Sequence, residues 1–62
     1  MTKDEWKTRY IKRMIDLGID EPFAIEAGSI GVEVEEEHEG SNVADWSLPE
    51  HAADEEMSCW GD

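Results

Sequence analysis

The side chains with chemical potential are carboxylates: Glu33, Glu35, Glu36, Glu37 and Glu39 form a run, continued by Asp45, Glu50, Asp54, Glu55 and Glu56. No Lys or Arg is interspersed among them. So many like charges repel one another unless something neutralises them, and the natural complement is a basic partner. A row of carboxylates can imitate a phosphate backbone and occupy a basic nucleic-acid channel. Trp46 and Trp60 lie in the same acidic half. Tryptophan anchors interfaces because it offers a large contact area at low rotamer cost. The candidate partner-binding set is therefore these ten carboxylates with Trp46 and Trp60. The plainer readings are a solvated acidic surface and indoles that complete a core with Trp6.

Other chemistries find less support in the residues. His38, His51 and Cys59 match neither a closed tetrahedral zinc spacing nor a calcium-loop pattern, so no metal is expected. There is no Gly-rich phosphate loop and no nucleophile elbow, and Cys59 has no basic neighbour in sequence to lower its pKa. A non-enzymatic protein without a cofactor is expected. One cysteine cannot form a disulfide within the chain.

The 62 residues hold 5 Lys+Arg against 17 Asp+Glu, a formal net charge of −12, and 39% of them are hydrophobic. All the basic residues (Lys3, Lys7, Arg9, Lys12 and Arg13) fall in the first thirteen positions, which carry +3, while residues 14–62 carry −15. A chain of pI about 4.2 is repelled by a phosphate backbone and by anionic lipid. Direct binding to nucleic acid and to membranes is thereby disfavoured, and a basic protein or nucleoprotein complex is the expected partner. Met1-Thr2-Lys3-Asp4-Glu5 opens with charges and no apolar stretch follows, so a cytoplasmic protein without a signal peptide is expected.

One small, mainly helical domain over 1–62 is the expected frame: a helical hairpin over 1–28, an acidic extended segment over 29–46, and a C-terminal helix and tail over 47–62. Thr2-Lys3-Asp4-Glu5 fits a capping box, and Trp6, Tyr10, Met14 and Leu17 recur at helical spacing, so a first helix spans about Lys3 to Leu17. Gly18 suits a left-handed stop, with Ile19 touching Met14. Asp20 reads as the cap of a short second helix, Glu21 to Ala27, ended by Gly28; Phe23 and Ala27 should meet Trp6, Tyr10, Met14 and Leu17. Ile30, Val32 and Val34 alternate with Gly31 and Glu33, the period of a short strand that needs a partner, such as a second copy of the chain. Glu35 to Asn42 reads as a solvated loop. Ser47-Leu48-Pro49-Glu50 fits a second capping box, opening a helix from about Leu48 to Cys59 with Ala52, Ala53, Met57 and Trp60 on one side and Gly61 as its stop.

Leu17-Gly18-Ile19, Ala24, Ala27 and the later Gly40-Ser41-Asn42-Val43-Ala44-Asp45-Trp46-Ser47-Leu48 are similar in order to the ubiquitin-associated domain pattern. The chain departs from it: the interval from Ala27 to Asn42 is much longer, Gly28 replaces a leucine, and a long helix precedes the loop. Coincident helix caps account for that likeness. The basic Trp-containing first helix, the short second helix and the acidic tail Ala52-Ala53-Asp54-Glu55-Glu56-Met57-Ser58-Cys59-Trp60 resemble the small acidic proteins encoded by phages and prophages. Several of that broad group are anti-CRISPR or other anti-defence inhibitors, some imitating DNA. The resemblance implies an inhibitor covering a basic site on a host complex. The alternative is a homo-oligomeric structural module whose acidic face keeps it soluble.

Overall fold

The computed structural model of the chain describes residues 1–60, and for residues 59 and 60 the backbone alone. The expected stop at Gly61 and the exposure of Cys59 and Trp60 lie outside the described residues.

Helix α1 spans Lys3–Asp16. It starts as expected: the Thr2 hydroxyl oxygen accepts the Glu5 backbone N–H at 3.1 Å. It also stops as expected. Gly18 adopts φ +99°, its N–H donates to the Ile15 carbonyl, and the Ile19 N–H donates to the Met14 carbonyl at 3.0 Å. This double closure is a Schellman motif, and Ile19 packs on the core that contains Met14.

Helix α2 spans Glu21–Glu39, far beyond the expected end at Ala27. The strand expected over Ile30, Val32 and Val34 is a run of helix, and the expected loop from Glu35 is helical through Glu39. Gly40, at φ +87°, is the actual stop. The physical reason lies in what the glycines touch. A Cβ on Gly28 would stand 2.7 Å from Ile11 Cγ1, and one on Gly31 would stand 3.4 Å from the Tyr10 ring. Gly28 and Gly31 thus continue the small-residue face of Ala24 and Ala27, and α2 lies close against α1 along it. Packing outweighs the roughly 1 kcal/mol by which each helix glycine is inferior to alanine. The alternation that imitates a strand is split by the helix: Val32 packs on the core, while Ile30 and Val34 are exposed.

A 3₁₀ turn at Val43–Asp45, opened by the Asn42 side chain accepting the Ala44 N–H at 3.2 Å, leads to α3, Pro49–Trp60. The α3 span agrees with expectation to within about a residue at each end. Its cap is not the expected Ser47: the Leu48 carbonyl accepts the first helical bond, from the Ala52 N–H, and Pro49 sits fully buried in the first turn. The Ser47 carbonyl instead accepts the Trp6 indole N–H at 2.8 Å.

The core comprises Trp6, Tyr10 and Met14 from α1, Ala24 and Ala27 from α2, Ala53 from α3, and Trp46 from the connecting segment. Large side chains on α1 thus meet small ones on both neighbours. Phe23, expected in this interface, is 61% exposed, and Leu17 is also on the surface; Met57 is half-buried. Trp6 stacks on Tyr10 and takes the edge of Trp46, each with ring centroids 5.3 Å apart. The Trp46 indole N–H donates to the Gly40 carbonyl at 2.8 Å and closes the 40–46 segment on itself, while the Trp6 indole ties that segment to α1 at Ser47. Helix α1 packs against α2 and α3, which barely touch each other. That leaves a cleft between them, over α1.

Candidate partner-binding surface

The fold sorts the predicted carboxylates into two groups. On α1, Arg9 and Arg13 are one helical turn apart and face Glu50 and Asp54, also one turn apart on α3. Arg9 Nε and NH2 donate to Glu50 at 3.0 and 2.6 Å, and Arg13 Nε and NH2 donate to Asp54 at 2.9 and 3.3 Å. Both contacts are two-pronged, the geometry in which arginine holds a carboxylate best. The hydrogen bond and charge of Asp54 hold the Arg13 guanidinium's proton more firmly still. Lys3 pairs with Glu36 at the far end of α2. All three pairs are half in water, so solvent screening keeps the contribution of each to stability small. Glu36, Glu50 and Asp54 are therefore engaged within the chain, and Trp46 is a core residue rather than a surface anchor.

Glu33, Glu35, Glu37, Glu39, Asp45, Glu55 and Glu56 make no ion pair among the described residues. Four of them crowd the last two turns of α2, where the backbone dipole is negative and like charges recur at i,i+4 as Glu33–Glu37 and Glu35–Glu39. That end of the helix carries a standing electrostatic cost which a neighbouring cation would relieve. His38 is the basic residue of its last turn. Trp60 belongs to α3, but its side chain lies outside the described residues.

Glu35, Glu55 and Glu56 also border the cleft. It encloses about 300 Å³, with Trp6 and Tyr10 as floor, Ala27, Ile30, Gly31 and Val34 along the α2 wall, and Ala52 on the α3 wall. Towards the α1–α2 turn, Ala27 and Ile30 are shared with a shallow hollow of about 500 Å³ that includes Ile19, Phe23, Asp20 and Glu26. The two depressions share one α2 stripe of Phe23, Ala27, Ile30 and Val34, spaced by four, three and four residues. Tyr10 is 3% exposed, and its hydroxyl, which pairs with none of the described residues, opens onto the cleft and its solvent. Burial, reinforced by Glu56 and then Glu35, pushes its pKa up to about 12. The floor of the cleft is thus a neutral phenol beneath a negative rim.

Sequence reasoning missed Tyr10, Ile30, Gly31 and Val34 as surface-forming residues. The available signal was the spacing Ala24, Ala27, Gly28, Gly31: small residues at three- and four-residue intervals mark a helix face pressed on another helix. Among the described residues no group of three His, Cys, Asp or Glu is placed to hold a metal ion. No described helix is long and apolar enough to cross a membrane. No protein-family model, curated protein or solved structure matches the chain.

Proposed function

We propose that this chain is a non-enzymatic acidic binding protein that covers a Lys/Arg-rich, nucleic-acid-binding surface of a partner protein complex. The observation that carries the reading is the surplus of carboxylates left after Lys3, Arg9 and Arg13 are paired: α2 and α3 contain no Lys or Arg of their own. Such a surface speeds encounter with a basic partner and repels nucleic acid and anionic lipid. The size, charge and tail of the chain, which resemble those of small phage-encoded inhibitors, make a phage-encoded, anti-CRISPR-type inhibitor acting in a bacterial cytoplasm the specific form of this proposal.

The test is capture of partners from bacterial lysate on the tagged chain at low and high salt, beside a variant carrying Glu33→Gln, Glu37→Gln and Glu39→Gln. Recovery of a nucleic-acid-binding complex, released by salt or competing DNA and reduced for the variant, is the expected result. Capture indifferent to salt and to the substitutions would overturn it. The second reading, a homo-oligomeric module, draws on the exposed apolar side chains of α2 rather than on the strand pairing first expected. A self-associated chain in light scattering, with no captured partner, would favour it.

A further inference from the structure

Resting on that reading, we infer that the cleft between α2 and α3 docks a basic amphipathic helix of the partner protein. Apolar side chains of that helix lie along Phe23, Ile30 and Val34, and one Lys or Arg side chain reaches the Tyr10 hydroxyl between Glu35, Glu55 and Glu56.

Three independent observations converge on this occupant. First, the α2 stripe is unpartnered: Phe23, Ile30 and Val34 are 61%, 53% and 44% exposed. From Phe23 to Val34 it runs about 16 Å at the helical rise, which is three turns of an opposing helix. Second, the cleft beside it ends on a polar group, the Tyr10 hydroxyl, that no other described residue engages. Tyr10 is more than nine-tenths buried, and its hydroxyl, which pairs with none of the described residues, keeps its access to solvent through the cleft. An ammonium or guanidinium N–H would donate to its oxygen. Third, the rim is negative: Glu35, Glu55 and Glu56 border the opening and make no ion pair among the described residues. An apolar wall leading to a phenol ringed by carboxylates matches a side chain with a hydrocarbon stem and a cationic head.

Charge also decides against a second copy as occupant. A two-fold contact sets a patch against itself, bringing Glu35, Glu55 and Glu56 of one protomer towards the same residues of its partner. A helix with Lys or Arg flanking its apolar face meets no such repulsion.

The test uses three synthetic probes and the complete chain: a 14-residue amphipathic helix of Leu and Lys, a scrambled isomer with the leucines spread around the helix, and an oligolysine of equal charge. Calorimetry reads affinity, and the change in tryptophan fluorescence, to which Trp6 in the cleft floor contributes, reports occupancy. The amphipathic helix is expected to bind at least tenfold tighter than its isomer. Ile30→Ser with Val34→Ser is expected to abolish that preference while leaving the oligolysine affinity unchanged. Equal binding of the two isomers would overturn the docking inference while leaving the acidic-surface reading standing. Absence of binding by all three, oligolysine included, would overturn both. Formation of a dimer whose dissociation requires Ile30→Ser and Val34→Ser would replace the partner helix with a second copy and overturn the inference.

Discussion

Glu50 and Asp54, four residues apart on α3, each meet the guanidinium fork of an α1 arginine, whereas Glu55 and Glu56 on the same helix border a cleft with no Lys or Arg among its described lining residues. Composition alone makes these four carboxylates equivalent. The fold separates them, because one side of α3 faces the basic face of α1 and the other faces the cleft beside α2. An acidic chain of this kind therefore uses part of its charge to fasten its own helices and holds the rest outward. The outward part sits where the helices contribute least to one another.

The contrast has a common foundation in Trp6, which lies under the cleft and, through Ser47, ties down the segment that leads into α3. Trp6→Ala is expected to cost about 3–5 kcal/mol, enough to unfold a domain of this size and erase both sides together. Far-UV circular dichroism and thermal melting check this. A variant that still melts cooperatively near the original temperature would break the picture of one shared core.

High pH probes the cleft floor. Tyr10 holds its proton to about pH 12, while in the unfolded chain it loses it near its ordinary value of 10.0. The unfolded state therefore binds fewer protons in that window, and stability falls as pH rises from 10 towards 12. Below pH 10 the contribution is fully present. Denaturant midpoints at pH 9, 10.5 and 11.5, compared with those of Tyr10→Phe, measure it. Equal pH slopes for the two proteins would contradict the burial of the phenol.

The glycines of α2 separate tight from loose packing. Gly28→Ala places a methyl 2.7 Å from Ile11 Cγ1 and is expected to destabilise by about 1–2 kcal/mol, since overpacking exceeds the gain in helix propensity. Gly31→Ala meets the Tyr10 ring at 3.4 Å, an ordinary contact, and is expected to stabilise by up to about 1 kcal/mol. Chemical denaturation resolves the two signs; stabilisation by both would mean that α2 does not approach α1 closely at Gly28.

Much of this fold was legible along the chain. Thr2 and Glu5 announced the start of α1, Gly18 and Ile19 its closure, and Pro49 the first turn of α3. The length of α2 was harder to read, because Gly28 and Gly31 look like breakers unless their spacing with Ala24 and Ala27 is taken as a small-residue face, which Ile11 and Tyr10 then cover. The acidic bias was plain, but its division was not. Arg9 and Arg13 find Glu50 and Asp54 across 41 positions, and only the matched four-residue spacing hints at it. For Trp46 the sequence left two readings, an interface anchor and a partner of Trp6 in the core, and the fold selects the core because Gly40 and Trp6 come to it from elsewhere.

The smallest effects on stability carry the sharpest comparison. Glu50→Gln with Asp54→Asn, and Glu55→Gln with Glu56→Gln, each bring the net charge from −12 to −10. The first pair is expected to lower stability slightly and the second to raise it slightly, both read from denaturant midpoints. Titrating both variants with oligolysine at fixed low salt then asks directly whether the outward carboxylates are the ones that bind. The expected result is that Glu55→Gln with Glu56→Gln weakens binding severalfold more than Glu50→Gln with Asp54→Asn. Equal weakening would show that the probe reads net charge alone, and would contradict the division of carboxylates on which the account rests.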